Sequence, residues 1–289
     1  VLGVLREGKE TPITLQLPRT RPFTTMDPAT DPEAAALLAD MLHYAKTKQL
    51  PNGSWSNDII RTTWSALALM ATRDAAYKDQ VKRAVDWSLA KYPKPENYGN
   101  LGFWSGAYAG ILYSEWHLAT GDERVLPHLD ALRDWAFHGK HNSAWNVPAL
   151  GHGPDGLPYE QKALVAPACH LLVFEALAMR CGMKSQLWEM LLPYMEMAWS
   201  DPKEGGHGSL GYNRSYKDTE EFWSRSGLFA IAAHLRGERQ DMYDAMTAFM
   251  EKSHPWLRNT HAYGEPGAGW GLLALNLARP QAFRPVLQQ

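Results

Sequence analysis

Two Gly-His-Gly triplets stand out among the residues that could do chemistry in this 289-residue chain. They occupy residues 151–153 and 206–208, and His261 lies in a comparable loop later in the chain. Flanking glycines permit tight backbone turns and leave an imidazole accessible for acid/base catalysis. The alternative interpretation is a histidine that only hydrogen-bonds the loop backbone.

The same three histidines raise the question of a metal. Zinc takes nitrogen ligands, so His152, His207 and His261 could bind it together. The chain contains no HExxH or CxxC spacing that would support such a site. We therefore predict no cofactor and keep a three-histidine zinc site as an alternative.

Carboxylates occur in the same loops. Glycoside hydrolysis uses a pair of them, one protonated and one ionised. Asp155, Glu221 and Glu265 are the candidates, and together with His207 they form the predicted catalytic set. Any one of them could instead cap a helix or form a loop salt bridge.

Tyrosines and an arginine suit a second reaction, β-elimination on uronate sugars. In that reaction a His or Tyr removes a proton, and a cation offsets the substrate carboxylate. Each such residue could equally be a structural hydrogen bonder. The residues predicted to contact substrate are Asp58, Arg61, Trp104, Tyr108, His152, Tyr159, Tyr212, Tyr216, Arg225, His261 and Tyr263.

Repeated pairs of helices are the elements that would position these loops. A first helix is predicted from Asp31, which is placed as its N-cap, with Pro32 at the first helical position. Four units then follow, each with a polar and aromatic loop, a very apolar helix, a short turn and an amphipathic helix. A fifth apolar helix starts near Gly267.

The alternation of helix types predicts an architecture. A helix that is apolar on every side is buried, and an amphipathic helix covers it with one face to water. This predicts an all-α fold, an α/α toroid with inner and outer rings of helices, although an open solenoid gives the same pattern. In either case the loops before the apolar helices gather at one end of the molecule.

His170 and Glu175 interrupt the third apolar helix. His170 could face a central cavity, but a lone helical histidine is more commonly buried with a hydrogen-bond partner.

Composition narrows the range of partners. The net charge is −2 and no Lys/Arg stripe is present, which argues against a nucleic-acid binder. No apolar run is long enough for a membrane span. Twelve Trp and twelve Tyr suit either an aromatic core or a sugar-binding cleft. Cys169 and Cys181 lie about 18 Å apart along one predicted helix, too far for a disulfide.

The first residues follow a different pattern. Residues 1–17 alternate apolar and polar side chains around a turn at residues 7–10, which predicts a β-hairpin. This hairpin resembles the last hairpin of a PDZ domain. Residues 18–30 are proline-rich and are interpreted as a linker, and residues 31–289 as the toroid domain.

Two family resemblances are carried by particular segments. Residues 53–71, GSWSNDIIRTTWSALALMA, resemble the Gly-Trp loop and inner helix of terpenoid-cyclase and prenyltransferase-like toroids. Residues 151–177, 198–227 and 254–275 resemble a bacterial family of uncharacterised domains attached to PDZ domains. The second resemblance implies a toroid, a PDZ neighbour that could recruit a protein partner, and an extracytoplasmic setting. It implies no activity.

Departures from the better-known toroids disfavour isoprenoid chemistry. The chain has no Asp-x-Asp-Asp acid motif, and the isolated Cys169-His170 pair does not reproduce a prenyltransferase zinc site. The leading expectation is therefore a carbohydrate-active enzyme, a polysaccharide hydrolase or lyase acting at the toroid mouth, since α/α toroids often work in this way. The alternatives are a non-catalytic glycan- or peptide-binding scaffold and a metal-dependent enzyme using the loop histidines.

Overall fold

The computed structural model describes residues 2–6, 9–13, 30–143, 145–154, 163–213, 223–253 and 264–287. Most of these residues are helical, which confirms the predicted class. The helices are α1 Pro32–Thr47, α2 Ile59–Ala71, α3 Lys78–Lys91, α4 Gly102–Thr120, α5 Leu126–His138, α6 Val165–Arg180, α7 Leu187–Ala198, α8 Trp223–Arg236, α9 Gln240–Lys252, α10 Gly264–Ala278 and α11 Pro280–Leu287.

Short strands complete the secondary structure of the described residues. Strands β1 (Leu2–Arg6) and β2 (Lys9–Ile13) pair antiparallel, with Arg6 opposite Lys9, where the alternating pattern predicts a hairpin. Strands β3 (His141–Asn142) and β4 (Pro148–Ala149) form a second small antiparallel pair. The domain boundaries at residues 17 and 30 stay predictions.

Local capping rules explain where α1 begins. The Asp31 carboxylate accepts hydrogen bonds from the backbone N–H groups of Glu33 at 2.9 Å and Ala34 at 3.1 Å. Pro32 occupies the first turn, where its missing N–H costs nothing. The predicted cap is confirmed.

Helices α2, α4, α6, α8 and α10 pack against one another in that order. Most residues of α4, α6 and α8 are buried, as expected of helices that are apolar on every side. Helices α3, α5, α7 and α9 cover this layer from outside. We call the two sets the buried helices and the covering helices.

Glycines allow the buried helices to approach closely. A Cβ on Gly227 of α8 would lie 2.6 Å from the Cα of Gly271 on α10, so the two backbones are in direct contact. A Cβ on Gly110 of α4 would lie 2.4 Å from the ring of Phe174 on α6. Neither position has room for a larger residue without movement of its neighbour.

Helices α2 and α10, the first and last of the buried set, also meet. The rings of Trp64 and Trp270 lie 4.7 Å apart between centroids, and a Cβ on Gly269 would lie 3.2 Å from the Trp64 ring. The contact joins residues that are far apart in the sequence.

Glu175 is buried in α6 because it caps a second helix. Its carboxylate accepts the backbone N–H groups of Gln186 and Leu187 at 2.5 Å and of Trp188 at 2.6 Å, at the start of α7. Burial raises the pKa of Glu175, while these amides and Arg133 oppose the change. An acidic residue inside an apolar helix therefore connects a buried helix to the helix that covers it.

Two further predictions concern the cysteine thiols and membrane-spanning helices. Cys169 and Cys181 are both free thiols, as their separation predicts. None of the described helices combines the length and the apolar composition needed to cross a membrane.

Candidate functional site

Loops that precede the buried helices lie together at one end. The backbone N–H of Phe103, in the first turn of α4, donates to the carbonyl of His152 at 3.0 Å. At the start of α6, Leu164 donates to the carbonyl of Leu150 at 2.8 Å and Val165 to the carbonyl of Tyr212 at 3.2 Å. The amino-terminal ends of α4, α6 and α8 are thereby joined through their loops.

Four aromatic side chains meet just inside this end. Trp64, Tyr108, His170 and Trp270 each stand five or six residues after the first residue of α2, α4, α6 and α10. At about 1.5 Å per residue this places them at a common depth of about 8 Å. Ring centroids of Tyr108 and His170 are 4.9 Å apart, and those of His170 and Trp270 are 5.9 Å apart.

A hydrogen-bond chain fixes the protons in this layer. His170 Nδ1 lies 2.8 Å from the carbonyl oxygen of Ala166, so Nδ1 carries the proton and donates it. His170 Nε2 must then accept from the Tyr108 hydroxyl, at 3.1 Å. The Tyr108 oxygen in turn accepts from Trp270 Nε1, at 3.1 Å. The three hydrogen bonds therefore all point the same way, with the Trp270 indole as first donor and the Ala166 carbonyl as last acceptor.

Tyr108 and His170, the two titratable groups of this hydrogen-bond chain, are neutral at physiological pH. Burial lowers the pKa of His170 to about 4, although the bond to Ala166 opposes this. Burial raises the pKa of Tyr108 to about 12, against the hydrogen bond from Trp270. The negative charge of Asp58 also raises the pKa of Tyr108, which places the start of α2 near this layer.

Trp104 and His152 lie nearer the loops than the first four rings. Trp104 Nε1 donates to His152 Nδ1 at 2.8 Å. An indole has no acceptor, so His152 Nδ1 is unprotonated and the neutral imidazole carries its proton on Nε2. Burial lowers the pKa of His152 and favours this neutral form.

Trp104 connects the two layers. Its ring centroid lies 6.1 Å from that of His152 and 5.1 Å from that of His170. Trp64 and His152 are partly exposed, whereas the other rings are buried. We call the set of six residues the aromatic floor: Trp64, Trp104, Tyr108, His152, His170 and Trp270.

The charge of Arg225 is surrounded by protein. The residue is 1 % exposed, in the first turn of α8, and its guanidinium carbon lies 5.4 Å from the centre of the Tyr212 ring. Burial raises the pKa of the Cys169 thiol, and the positive charge of Arg225 lowers it, so the two residues are neighbours. A cation over an aromatic face is a stabilising arrangement for a buried charge.

Asp58 and Arg61 have plainer surroundings. The Asp58 side chain accepts the backbone N–H of Arg61 at 2.8 Å and so caps α2. The Arg61 side chain is exposed. Capping does not exclude contact with a ligand, and the predicted substrate-binding roles of both residues stay predictions.

The two Gly-His-Gly triplets occupy different environments. His207 is exposed, on a turn between Trp199 and Leu210 that packs against the covering helix α9. Gly208 has φ +88°, and a Cβ there would lie 2.8 Å from the Ala245 carbonyl oxygen. Within the described part of the chain, no ring contact or hydrogen bond links the His207 side chain to the aromatic floor.

Several predicted site residues cannot be placed. Glu265 lies in the first turn of α10, but its side chain is outside the described part of the structure. Six others lie wholly outside the described residues: Asp155, Tyr159, Tyr216, Glu221, His261 and Tyr263. The catalytic roles assigned to the carboxylates stay predictions.

Trp64 and Trp270 are floor residues that the sequence reasoning missed. A signal was available, because Trp64, Tyr108 and Trp270 stand at nearly the same distance from the start of their helices. The sequence predicts burial of His170 with a hydrogen-bond partner, and the structure confirms it.

The described residues also bear on the predicted metal site. The described residues contain no group of three or more His, Cys, Asp or Glu side chains that could hold a metal ion. His152 Nδ1 accepts a hydrogen bond from Trp104, so this nitrogen is not a metal ligand. The three-histidine site stays a prediction because His261 lies outside the described residues.

Comparisons with known proteins place the chain in a family. No curated protein and no solved structure matches it. A family model described as "Domain of unknown function (DUF6288)" matches residues 34–289, most of the chain, and the protein belongs to that family.

Proposed function

We propose that this protein is a carbohydrate-active enzyme, a polysaccharide hydrolase or lyase, that binds its substrate against Trp64 and His152, the partly exposed residues of the aromatic floor. The observation that carries the proposal is the convergence of rings from four buried helices at their amino-terminal ends. Ligand sites are commonly lined by aromatic side chains with a few fixed polar groups. The apolar faces of sugar rings pack on such a surface.

His152 supplies a fixed polar group for this site. Its neutral ring carries the proton on Nε2, so that nitrogen is a hydrogen-bond donor and not a base. A donor of this kind suits a sugar hydroxyl or a glycosidic oxygen. In the proposed reaction Asp155, Glu221 and Glu265 provide the carboxylates from neighbouring loops, with His207 as a further acid/base candidate.

We further propose that the buried helices close into an α/α toroid with this site at its mouth. Support comes from the order of packing, α2 to α4, α6, α8 and α10, together with the contact of Trp64 with Trp270 and Gly269. An open solenoid would leave its first and last repeats apart.

Activity screening tests the enzyme proposal. The protein is incubated with neutral and acidic polysaccharides, and new reducing ends and unsaturated uronates are measured alongside binding. Asp155→Asn, His207→Ala and Glu265→Gln variants follow on any substrate found. Lost turnover with retained binding supports catalysis at this site. The proposal fails if no polysaccharide is either bound or cleaved.

A non-catalytic glycan- or peptide-binding domain is the second candidate. One observation favours it: Tyr108 and His170 are neutral and hydrogen-bonded to each other within the floor, which suits a rigid surface better than a reactive group. In this case an attached PDZ module would recruit a protein partner in an extracytoplasmic setting. Binding without turnover on every substrate is the result it predicts.

A further inference from the structure

Helix α1 carries large apolar side chains that the described structure leaves uncovered. Leu37 is 45 % exposed, Met41 60 % and Tyr44 62 %, and Leu38 beside them is 43 % exposed. By contrast, the covering helix α9 buries the methionines of its apolar face completely. A contiguous apolar patch of this kind on a protein surface marks an interaction site.

Charged residues stand at both ends of the patch. Glu33, Leu37, Met41, Tyr44 and Lys48 follow one another at intervals of four, four, three and four residues. That spacing places them along a single face of a helix. We call these five residues the α1 stripe.

The α1 stripe is complementary to itself in the antiparallel direction. If a second α1 is laid across the first about Met41, Glu33 of each copy faces Lys48 of the other. Leu37 then faces Tyr44, and Met41 faces Met41. Opposite charges meet at both ends and apolar side chains meet between them, which is the arrangement that a twofold interface requires.

The charged ends of the stripe have no ion-pair partner among the residues that the structure describes. Glu33 and Lys48 are exposed, and neither forms an ion pair with another residue that the structure describes. Both are therefore available to a second molecule.

We propose that the protein forms a homodimer by antiparallel pairing of its α1 stripes. The 16-residue helix is about 24 Å long. A stable interface buries about 800 Å² on each partner, which one helix face of this length does not supply alone. The dimer is therefore weak, with a dissociation constant in the micromolar range, and depends on protein concentration.

Sedimentation equilibrium of the full chain, from about 1 µM to several hundred µM, tests the proposal at the concentrations that a weak dimer requires. The wild type passes from monomer to dimer over this range. Met41→Lys places two like charges at the twofold axis and gives a monomer throughout. Because Met41 is exposed, the fold is unaffected, and circular dichroism verifies this.

Charge reversal makes the test specific. Glu33→Lys, and separately Lys48→Glu, replaces two attractive contacts with two repulsive ones and weakens the dimer about tenfold. The double variant Glu33→Lys/Lys48→Glu restores it. Lys46→Glu is the matched control: the residue lies on the opposite side of the same helix and leaves the dimer unchanged.

Two results overturn the proposal. One is a wild-type protein that stays monomeric at every concentration, as expected if another segment or a different protein covers the stripe. The other is a dimer that Met41→Lys and the single charge reversals leave intact, which would place the interface elsewhere.

Discussion

His170 links the aromatic floor to the pH dependence of stability. The pKa of an unfolded histidine is near 6.5, and burial lowers that of His170 to about 4. As the pH falls, the unfolded chain therefore binds its proton first. The stabilising contribution of neutral His170 is complete above about pH 6.5 and is lost as the pH falls toward 4, by about 3 kcal/mol in all.

A His170→Gln variant tests this at the level of one residue. Glutamine keeps one donor and one acceptor but does not titrate. Between pH 7 and pH 4 the wild type should lose about 2–3 kcal/mol more of its unfolding free energy than the variant. Urea unfolding followed by circular dichroism measures both. If the unfolding free energies of the two proteins fell equally between pH 7 and pH 4, His170 would not be buried in its neutral form.

His152 and His207 have the same local sequence but different surroundings. Each is the central residue of a Gly-His-Gly triplet. One accepts from Trp104, which is 48 residues away in the chain, and the other is exposed near α9. A local motif indicates that the backbone can turn tightly. It does not indicate what packs against the imidazole.

At the scale of single elements, Glu175 determines how α7 begins. Its carboxylate accepts three backbone N–H groups through both oxygens, whereas an amide would present only one acceptor atom and add donors. We expect Glu175→Gln to lower the unfolding free energy by about 1–3 kcal/mol, a range typical of buried hydrogen bonds to charged groups.

Glu189→Gln is the matched control for that measurement. Glu189 lies in the first turn of the same helix but is exposed, so its loss should cost less than about 1 kcal/mol. Equal losses in the two variants would contradict a special capping role for Glu175. Chemical denaturation at pH 7 gives both values.

Gly227 lies where α8 and α10 cross, and its replacement by alanine has two opposite effects on stability. Helix propensity alone predicts that Gly227→Ala stabilises the protein by about 1 kcal/mol. The added Cβ would instead lie 2.6 Å from the Gly271 Cα, so the helices must separate. We expect a net destabilisation of about 1–3 kcal/mol, within the range for overpacked cores. An increase in melting temperature would show that the helices do not cross here.

At the scale of the whole molecule, the sequence predicts the helices better than their meeting points. Periodicity and the Asp31 cap are local properties, and the structure confirms both. The contact of Trp64 with Trp270 joins residues in the first and last buried helices, so no local rule indicates it. The sequence likewise does not predict whether Asp155, Glu221 and Glu265 meet, because their spacing in sequence does not fix their separation in space.

The proposed function requires the aromatic floor to be a glycan site. Its most direct test is calorimetric titration of oligosaccharides into the wild type, into His152→Ala, and into His234→Ala, an exposed histidine in the last turn of α8. We expect the wild type to bind, His152→Ala to bind about tenfold or more weakly through the lost donor, and His234→Ala to bind as the wild type does. Binding that His152→Ala leaves unchanged, or no binding of any glycan, would contradict a glycan site on the aromatic floor.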